Sequence, residues 1–537
     1  MKKSTIIILS VVALVGIIAW RFLGTVVTSK VENRIAQIGL TDNEKAANGP
    51  LPGDVSLYQK ELECCQGLST PGYFSTLNGA ELADAQRSGV FPCATFTGSW
   101  DGPNKVFAWR AEDDYQACSF IVNRYPGEIF IVGGDNPPFD GDVPPGPYIA
   151  KADATTGKQI WRTYVDNANV SKRWIGTANL NILASGKIAF AWSDQIILLD
   201  ADSGRILKQN TLPVGDAPRE DVHYKHLTVA PDGTLICKDQ TRPTGNQQQG
   251  TMAIIKGVQA GLKQPNSHLV AVHPDTLEIL HDIPLPEPAT VPHSIAMLDG
   301  KIAIYIGVDS GCRRAFWDPA AKKLAMDDSW HVKPVQEGQT TADAPSLLGD
   351  WVVLQTNGLG SKVKASSVAV AHVRDASKMK IIFPFGELKK GEWSFAPPKA
   401  CTDAENSMLY SADMGMAKVA GIKLDQATGE MKTVFVLDNM STTFQPTYGP
   451  KDKRVLVLTN MKKNVPHEPN DLALFTANYT EQVTWHDAAN GRKLAESSFF
   501  EPLMINSLVA PGFGGRVYFP TGKGFITMQV MPATGTR

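Results

Sequence analysis

Apolar residues recur along this chain in short runs on either side of a glycine-containing tight turn, eight times between about residue 120 and the C-terminus. In the clearest copies, 294–307, 227–237 and 181–192, the apolar positions alternate or run continuously, as they do in β-strands. Successive turns are about 46 to 67 residues apart, which is the period of propeller blades with loop insertions. The weaker copies turn near residues 127, 349, 406, 452 and 515.

A second turn, of the form Asp-x-x-(Thr/Ser/Asn)-Gly, follows most copies of the first. It predicts a second hairpin, and therefore four strands in each unit. A four-stranded sheet cannot bury both faces alone, so neighbouring sheets must stack around an axis. The pattern predicts an all-β, eight-bladed β-propeller of four-stranded antiparallel blades, with an open pair of β-sandwiches as the alternative. The second turn occurs at 153–157, 200–204, 425–429 and 487–491, and the third blade's strands are expected at 227–230, 234–237, 268–272 and 278–283.

The first residues predict a membrane segment. Lys2 and Lys3 precede the uncharged stretch 4–20, which at about 1.5 Å per residue is long enough for a short transmembrane helix. The positive flank would stay in the cytoplasm and place the rest of the chain on the periplasmic or extracellular side. We therefore expect contact with a cytoplasmic or inner membrane through residues 4–27. A cleaved signal peptide is the alternative.

The chain divides into four expected regions. Within the third region the sequence predicts a helix at 78–88 and a strand at 105–110. The chain ends shortly after an apolar run at 525–530, so this early strand is expected to form the outer edge of the last blade and close the ring. The regions are a signal anchor (1–29), a stalk linker (30–53), a Cys-rich cap (54–118) and the propeller (119–537).

The number and positions of the cysteines are typical of an exported protein, and they predict that disulfide bonds hold the cap region together. Four of the seven cysteines, Cys64, Cys65, Cys93 and Cys118, lie in the cap region. The adjacent pair either bridges itself or each member pairs outward to Cys93 or Cys118. Reduced structural thiols are the alternative if the chain faces the cytoplasm. The odd total leaves at least one thiol free.

Composition narrows the classes of function. The 537 residues are 43% hydrophobic and carry a formal net charge of −2. A large core is therefore possible, and no basic surface is indicated, so nucleic-acid binding is not expected. The sequence has no Gly-x-Ser-x-Gly elbow, no phosphate-binding glycine loop and no Cys-x-x-Cys-His haem site.

The expected strand order places all long insertions on one face of the ring. In each blade the innermost strand starts on the face that carries the connection from the previous blade, and the loop between the second and third strands returns to it. Long loops grouped on one face of a rigid scaffold usually carry the binding site. The insertions expected there are 133–147, 239–265, 307–314 and 460–482.

Polar residues recur where the innermost strands begin, about seven residues before each inner turn. A packed core would place apolar or small residues there. This polar ring therefore indicates a water-filled axial funnel lined by side chains that can bind a ligand or take part in a reaction. A polar, water-filled channel without chemistry is the alternative. The residues are Asn179, His226, His293, Asp343 beside Ala342, Lys399, Gln445 and Asn506.

His226 and His293 occupy equivalent places in adjacent blades, so their imidazoles are expected to converge on a metal ion or a substrate oxygen. Acid–base chemistry by the pair, tuned by Asp343 or Lys399, is equally allowed. The sequence leaves the metal undecided, because zinc and copper need three or four ligands. The candidates for binding a cofactor or an anionic group are Asn179, Gln445, Asn506 and Arg313.

The phrase from Asp153 to Trp161, Asp-Ala-Thr-Thr-Gly-Lys-Gln-Ile-Trp, resembles the tryptophan-docking motif of the quinoprotein alcohol dehydrogenase-like propellers. That superfamily forms eight-bladed rings in which the tryptophan closes a blade against its neighbour. The resemblance extends over about residues 120 to 530, and it implies that Trp161 docks in this way.

Enzymes of this superfamily hold pyrroloquinoline quinone and calcium in the funnel, beneath two adjacent bridged cysteines. The Cys64-Cys65 pair here precedes the propeller, so the residues leave the cofactor undecided. Other members of the fold are assembly scaffolds, and arylsulfotransferase-like propellers use funnel histidines and arginines. We therefore expect a membrane-anchored propeller that binds a small-molecule ligand or a protein partner through its loop-rich face. An oxidoreductase or transferase with a histidine-containing funnel is the alternative.

Overall fold

A computed structural model describes most of the chain after the N-terminal region. Among the described residues the only long α-helix is α1 (Tyr58–Gly67), and two strands, β1 (Val90–Phe91) and β2 (Asn104–Arg110), precede the first blade. The described residues are 49–68, 70–135, 146–165, 174, 178–246, 253–254, 257, 260–336, 339–358, 364–463, 479–504 and 507–533.

Eight antiparallel sheets follow one another along these residues, which confirms the predicted eight-bladed propeller. Blades one to four consist, from the inner to the outer strand, of β3 (Cys118–Val122), β4 (Glu128–Gly133), β5 (Tyr148–Asp153) and β6 (Gln159–Tyr164); β7 (Asn179–Ile182), β8 (Ile188–Trp192), β9 (Gln195–Leu199) and β10 (Ile206–Thr211); β11 (Val222–Val229), β12 (Leu235–Thr241), β13 (His268–Val272) and β14 (Ile279–Pro284); and β15 (His293–Leu298), β16 (Lys301–Val308), β17 (Gly311–Asp318) and β18 (Lys323–Val332).

The remaining blades have the same order, and blades five, seven and eight include additional or borrowed strands. They consist of β19 (Thr340–Thr341), β20 (Ser346–Leu348), β21 (Trp351–Asn357), β22 (Val368–His372) and β23 (Asp375–Ile382); β24 (Cys401–Asp403), β25 (Met408–Asp413), β26 (Lys418–Leu424) and β27 (Met431–Asp438); β28 (Thr447–Tyr448), β29 (Val455–Lys463), β30 (Tyr479–Asp487) and β31 (Lys493–Glu496); and β32 (Ala510–Gly512), β33 (Arg516–Thr521) and β34 (Gly524–Pro532), completed by β2.

Burial explains the two kinds of hydrophobic pattern in the sequence. The second strands of blades one and two are nearly continuous apolar runs, and almost all of their residues are buried because adjacent blades cover both faces. The outer strand β27 instead alternates partly buried and exposed residues along its length, since only one of its faces meets the next blade.

The first and last parts of the chain close the ring together. β2 pairs antiparallel with β34 from Asn104 opposite Pro532 to Arg110 opposite Ile526. This confirms that the early strand completes the last blade. β1 likewise pairs with the inner strand of blade seven, although in parallel. The N-terminal region therefore supplies the outermost, fourth strand of blade eight and closes the ring.

Trp161 docks against the turn of the next blade, as the resemblance implies. Gly204 has a φ of +71°, and a Cβ added there would lie 2.5 Å from Cε3 of Trp161. The Thr163 hydroxyl donates a hydrogen bond to the Gly204 carbonyl at 2.6 Å. Gly429 is packed against Trp351 of blade five in the same way. Glycine is required at these turns by both its backbone conformation and the neighbouring ring.

The predicted helix at 78–88 is wrong. These residues form turns and bends, and Leu82, Ala83 and Arg87 have φ angles of 60°, 77° and 54°. Their backbone groups form short turns among themselves and bond to inner strands of the propeller, which local helix propensity cannot anticipate. The helix of this region is α1, about twenty residues earlier in the chain.

The predicted insertion at 307–314 is also wrong, since β16 and β17 are joined by a tight turn with Val308 opposite Gly311. Blade five instead has a long connection, 358–367, between its second and third main strands. The long second-to-third connections therefore belong to alternate blades, one, three, five and seven. They are 134–147, 242–267, 358–367 and 464–478.

The disulfide joins Cys64 to Cys93, with their Cα atoms 5.6 Å apart. Cys64 thus pairs outward, which was one of the two alternatives, and Cys65 is a free, buried thiol. All seven cysteines are in the described ranges, and Cys118 is free as well. The bridge fixes the end of α1 to the segment that leads into β2.

The predicted membrane segment and most of the stalk lie outside the described residues. Within the ranges given above, no helix is both long and apolar enough to span a bilayer.

Candidate functional site

Residues 72–91, here called the axial segment, lie inside the ring against the free edges of the inner strands. Inner strands have unpaired backbone groups on the side that faces the propeller axis. The axial segment satisfies such groups in blade after blade, so it occupies the channel that the sequence suggested was an open funnel. The bonds are Asn123 N to Asn78 O (2.8 Å), Ile182 N to Gly79 O (2.8 Å), Ile295 N to Ala85 O (2.7 Å), Thr402 N to Ser88 O (2.9 Å) and Thr447 N to Gly89 O (2.9 Å).

An ion pair between Glu81 and Arg87 lies at the centre of this segment. Both side chains are almost fully buried, with 6% and 2% exposure. Arg87 donates from Nε to the His293 carbonyl at 2.8 Å and from Nη2 to the Thr228 hydroxyl at 3.2 Å. The Asn179 amide donates to the Glu81 carboxylate. The network therefore joins the axial segment to the inner strands of blades two, three and four.

Sequence reasoning missed Glu81 and Arg87 because their segment was assigned to a helix in a separate cap. No motif marks either residue. The polar ring itself could have indicated a segment inside the channel. Buried Asn and Lys side chains need hydrogen-bond partners, and the axial segment supplies them.

His226 and His293 lie on the neighbouring inner strands β11 and β15, as predicted. Both side chains are fully buried, and none of their four ring nitrogens makes a hydrogen bond of ordinary geometry to the residues that the structure describes, although the Ile236 backbone lies close enough to the His293 ring to favour its protonation. Burial lowers the pKa of His226 far below its ordinary value, and Lys238, Lys225, Arg87 and His293 lower it further. The pKa of His293 is lowered by burial and then by Arg87 and Lys238. Both rings are therefore neutral near pH 7.

Lys399 is buried in the same ring, and its ammonium group donates to the Arg87 carbonyl and to the Ala400 carbonyl at 3.2 Å. Burial lowers the pKa of Lys399. Asp343 is partly exposed at the mouth, accepts from the Ala344 N–H, and has a pKa raised by burial. Lys399 therefore holds the axial segment in place, while Asp343 is nearer to solvent.

The remaining predicted ligand-binding residues lie in different surroundings. Gln445 is buried in the ring and donates from Nε2 to the Thr443 carbonyl at 2.7 Å, while its Oε1 has no partner within the described ranges. Arg313 is on β17, the third strand of blade four, and its Nε bonds to Glu287 at 2.7 Å. It is therefore not on an inner strand. Asn506 lies outside the described residues.

A hydroxyl, an imidazole and a carboxylate also meet beside Arg313. The Ser310 hydroxyl is 2.9 Å from Nε2 of His331, and Oε1 of Glu287 is 3.9 Å from the same nitrogen. In a catalytic triad the carboxylate orients the imidazole through the opposite nitrogen. Here the Glu287 carboxylate accepts from Arg313 and from the Ser310 N–H. The group is therefore a structural ion-pair cluster at a turn.

The pyrroloquinoline quinone and calcium implied by the resemblance do not fit these residues. The axial segment fills the region in which the inner strands would face a ring-shaped cofactor. Cys64 bonds to Cys93, so the adjacent cysteines form no bridge above a funnel. Calcium needs six to eight oxygen ligands, and the described part of the chain contains no group of three His, Cys, Asp or Glu residues suited to a metal ion.

Comparison with known proteins supports the fold. No family model matches the chain, and no curated protein is similar to it. The quinohemoprotein alcohol dehydrogenase ADHIIG from Pseudomonas putida HK5 superposes with a TM-score of 0.52 at 10% identity, covering 91% of this chain and 84% of that one. The chain therefore shares the propeller fold of that enzyme. At this identity the likeness concerns architecture alone.

Two further structures superpose less well. The quinohemoprotein alcohol dehydrogenase from Comamonas testosteroni has a TM-score of 0.46 at 12% identity, covering 90% of this chain and 86% of that one. BamB from Moraxella catarrhalis has a TM-score of 0.39 at 10% identity, covering 83% of this chain and 95% of that one. These weaker superpositions carry no functional argument, so function must be inferred from the site itself.

Proposed function

We propose that this chain is a membrane-tethered propeller that binds a partner protein or ligand through the face on which the blades are connected. That face is here called the connection face. The observation that carries the proposal is that long and short loops alternate around it from blade to blade. Blades one, three, five and seven have long connections between their second and third strands, and the intervening blades have tight turns. Long connections grouped on one face of a rigid scaffold usually carry the binding residues.

The filled channel favours binding over catalysis. An enzyme of this fold needs space along the axis for its substrate, whereas here residues of the axial segment satisfy the inner strands directly. Asn179 and Lys399 are bonded to that segment as well. Polar side chains that hold the chain's own backbone in place are not free to act on a substrate.

The attachment of the N-terminal region supports a tether on the opposite face. The Asp54 N–H bonds to the Gly514 carbonyl at 2.9 Å, and the Gly514 N–H donates to Glu61 at 2.7 Å. Gly514 is in the inner hairpin turn of blade eight, and such turns lie on the face opposite the connection face. The stalk at 30–53 and an anchor within residues 4–27 would then hold the propeller with its loops pointing away from the bilayer, on the periplasmic or extracellular side.

Site-specific photo-crosslinking in the source cell tests this proposal. A photoreactive residue replaces Lys263, which is exposed in the blade-three loop, and the matched control replaces Ser185, which is exposed in the inner turn of blade two on the opposite face. We expect a discrete crosslinked product from position 263 and none from position 185. Products from both positions, or from position 185 alone, would refute binding through the connection face.

A reaction at the inner ring is the second candidate, favoured by the unpartnered rings of His226 and His293. In that case the chain is an oxidoreductase or a transferase that uses these histidines. An absorption spectrum and a metal analysis of the full chain purified from its source separate the candidates. A stoichiometric quinone or metal ion supports the enzyme and contradicts the binding propeller.

A further inference from the structure

The unpartnered imidazoles of His226 and His293 are the feature of the inner ring that the fold does not explain. Buried polar groups nearly always have hydrogen-bond partners. Around them, Asn179, Arg87 and Lys399 all have such partners. The two histidines lie on adjacent inner strands, are fully buried, and leave four ring nitrogens without one in the described part of the molecule. A small polar group in contact with both rings would pair with one nitrogen of each.

The charges around the pair indicate the sign of that group. After burial, the strongest influences on His226 come from the cations Lys238, Lys225 and Arg87, and those on His293 come from Arg87 and Lys238. A metal ion at the rings would be repelled by these groups, and two imidazoles supply only half of the ligands of a tetrahedral zinc site. An anion would be attracted by the cations and could accept hydrogen bonds from the imidazole N–H groups.

We propose that His226 and His293 form a binding site for one small oxyanion, of the carboxylate, sulfate or phosphate type. Lys225 and Asp343 are the partly exposed members of this ring, so the ligand enters from the connection face between them. The site is separate from the partner-binding loops and does not depend on them.

Thermal unfolding of the full chain with sulfate, phosphate or acetate tests the site. Each anion is added at millimolar concentration against chloride of equal ionic strength, because higher concentrations of excluded salts stabilise any protein. The variants are His226→Gln/His293→Gln and, as a matched control, His281→Gln on the outer strand of blade three. We expect at least one oxyanion to raise Tm saturably in the wild type and the control, and to leave the double variant unchanged.

Three outcomes would overturn the proposal. An equal rise in the double variant would mean an adventitious ion only. No saturable rise with any oxyanion would mean that ordered water satisfies the rings. A saturable rise with zinc but not with oxyanions would mean a metal site.

If the double variant does not fold, the wild type is titrated with the same oxyanions and followed through the ring ¹⁵N resonances of its ten histidines. We expect two histidines to move towards the imidazolium pattern, since a bound anion favours the charged ring. Their identity is checked with the single variants His226→Gln and His293→Gln. If no ring resonance moves, the proposal fails.

Discussion

The guanidinium of Arg87 donates a hydrogen bond of 2.8 Å to the backbone carbonyl of His293, 206 residues later in the chain. This bond joins a segment that precedes every blade to the inner strand of blade four. It explains how a polar ring on the inner strands remains stable with little solvent in the channel, because the N-terminal region supplies the partners that water would otherwise supply. The channel is therefore part of the folded core.

Removing the positive charge of Arg87 should destabilise the propeller. Arg87→Met leaves the buried Glu81 carboxylate without its ion-pair partner, which is expected to cost about 3–5 kcal/mol. The double variant Glu81→Gln/Arg87→Met should recover part of that loss. Denaturant unfolding measures both, and Arg374→Met, in an exposed ion pair, is the control that should change little. Equal stability of Arg87→Met and the wild type would contradict the buried network.

Trp161→Ala should open the contact between blades one and two. Trp161 packs against Gly204 of the next blade, and loss of a large aromatic side chain from such a contact is expected to cost about 3 kcal/mol. The neighbouring Ile160 is 57% exposed, so Ile160→Ala is a matched control that should leave Tm nearly unchanged. Similar melting of the two variants would contradict the docking of Trp161.

The histidine pair should make the fold sensitive to acid. The folded-state pKa values of His226 and His293 are far below the ordinary value of 6.5. Below pH 6.5 the unfolded chain therefore takes up protons that the folded chain does not. The free energy of unfolding is highest above that pH and decreases as the pH falls below it. Between pH 7.5 and 5.5 each ring should account for a loss of about 1.4 kcal/mol. The cations Lys225, Lys238 and Arg87 oppose protonation.

The measurement is the free energy of unfolding at both pH values for the wild type and for His226→Gln/His293→Gln. Buried carboxyls with raised pKa values, such as Asp135 at about 6, act in the opposite direction, but they are common to both proteins and cancel in the difference. The wild type should lose about 3 kcal/mol more than the variant over this range. Identical pH dependence would show that the rings are not held neutral.

The disulfide predicts a specific pattern of thiol reactivity. Alkylation of the denatured, unreduced chain should label five cysteines and leave Cys64 and Cys93 unmodified. Cys64→Ser should lower stability by about 3–4 kcal/mol under the loop-entropy account for a loop of 29 residues. Cys65→Ser is the matched control at the adjacent position and should leave the bridge intact. Protection of Cys65 in place of Cys64 would contradict the pairing.

The sequence predicted those features that repeat or that depend on strand pattern. The strand near Lys105 was expected to close the ring because the repeats end just after residue 530, and Trp161 was expected to dock on the next blade because its phrase resembles a docking motif. The roles of Glu81 and Arg87 could not be predicted, since their partners are backbone and side-chain groups on several distant blades. Positive φ angles at Leu82 and Arg87 are imposed by those partners and override the helical tendency of the segment.

The sequence placed the two histidines on the inner strands, but it did not predict that the channel beside them is filled. His226 and His293 lie on adjacent inner strands as expected, whereas the surrounding channel is filled and not open. Polarity at the start of the inner strands could not distinguish side chains that face water from side chains that hold another segment of the chain.

Amide hydrogen exchange at the inner strands tests the central claim, that the axial segment fills the channel. The N–H groups of Asn123, Ile182, Ile295, Thr402 and Thr447 bond to that segment, and without it they would face an open channel. We predict that these amides are protected as strongly as the central strands of the blades, with opening only by global unfolding. Exchange at the rate of exposed edge amides, while the central strands remain protected, would contradict the account.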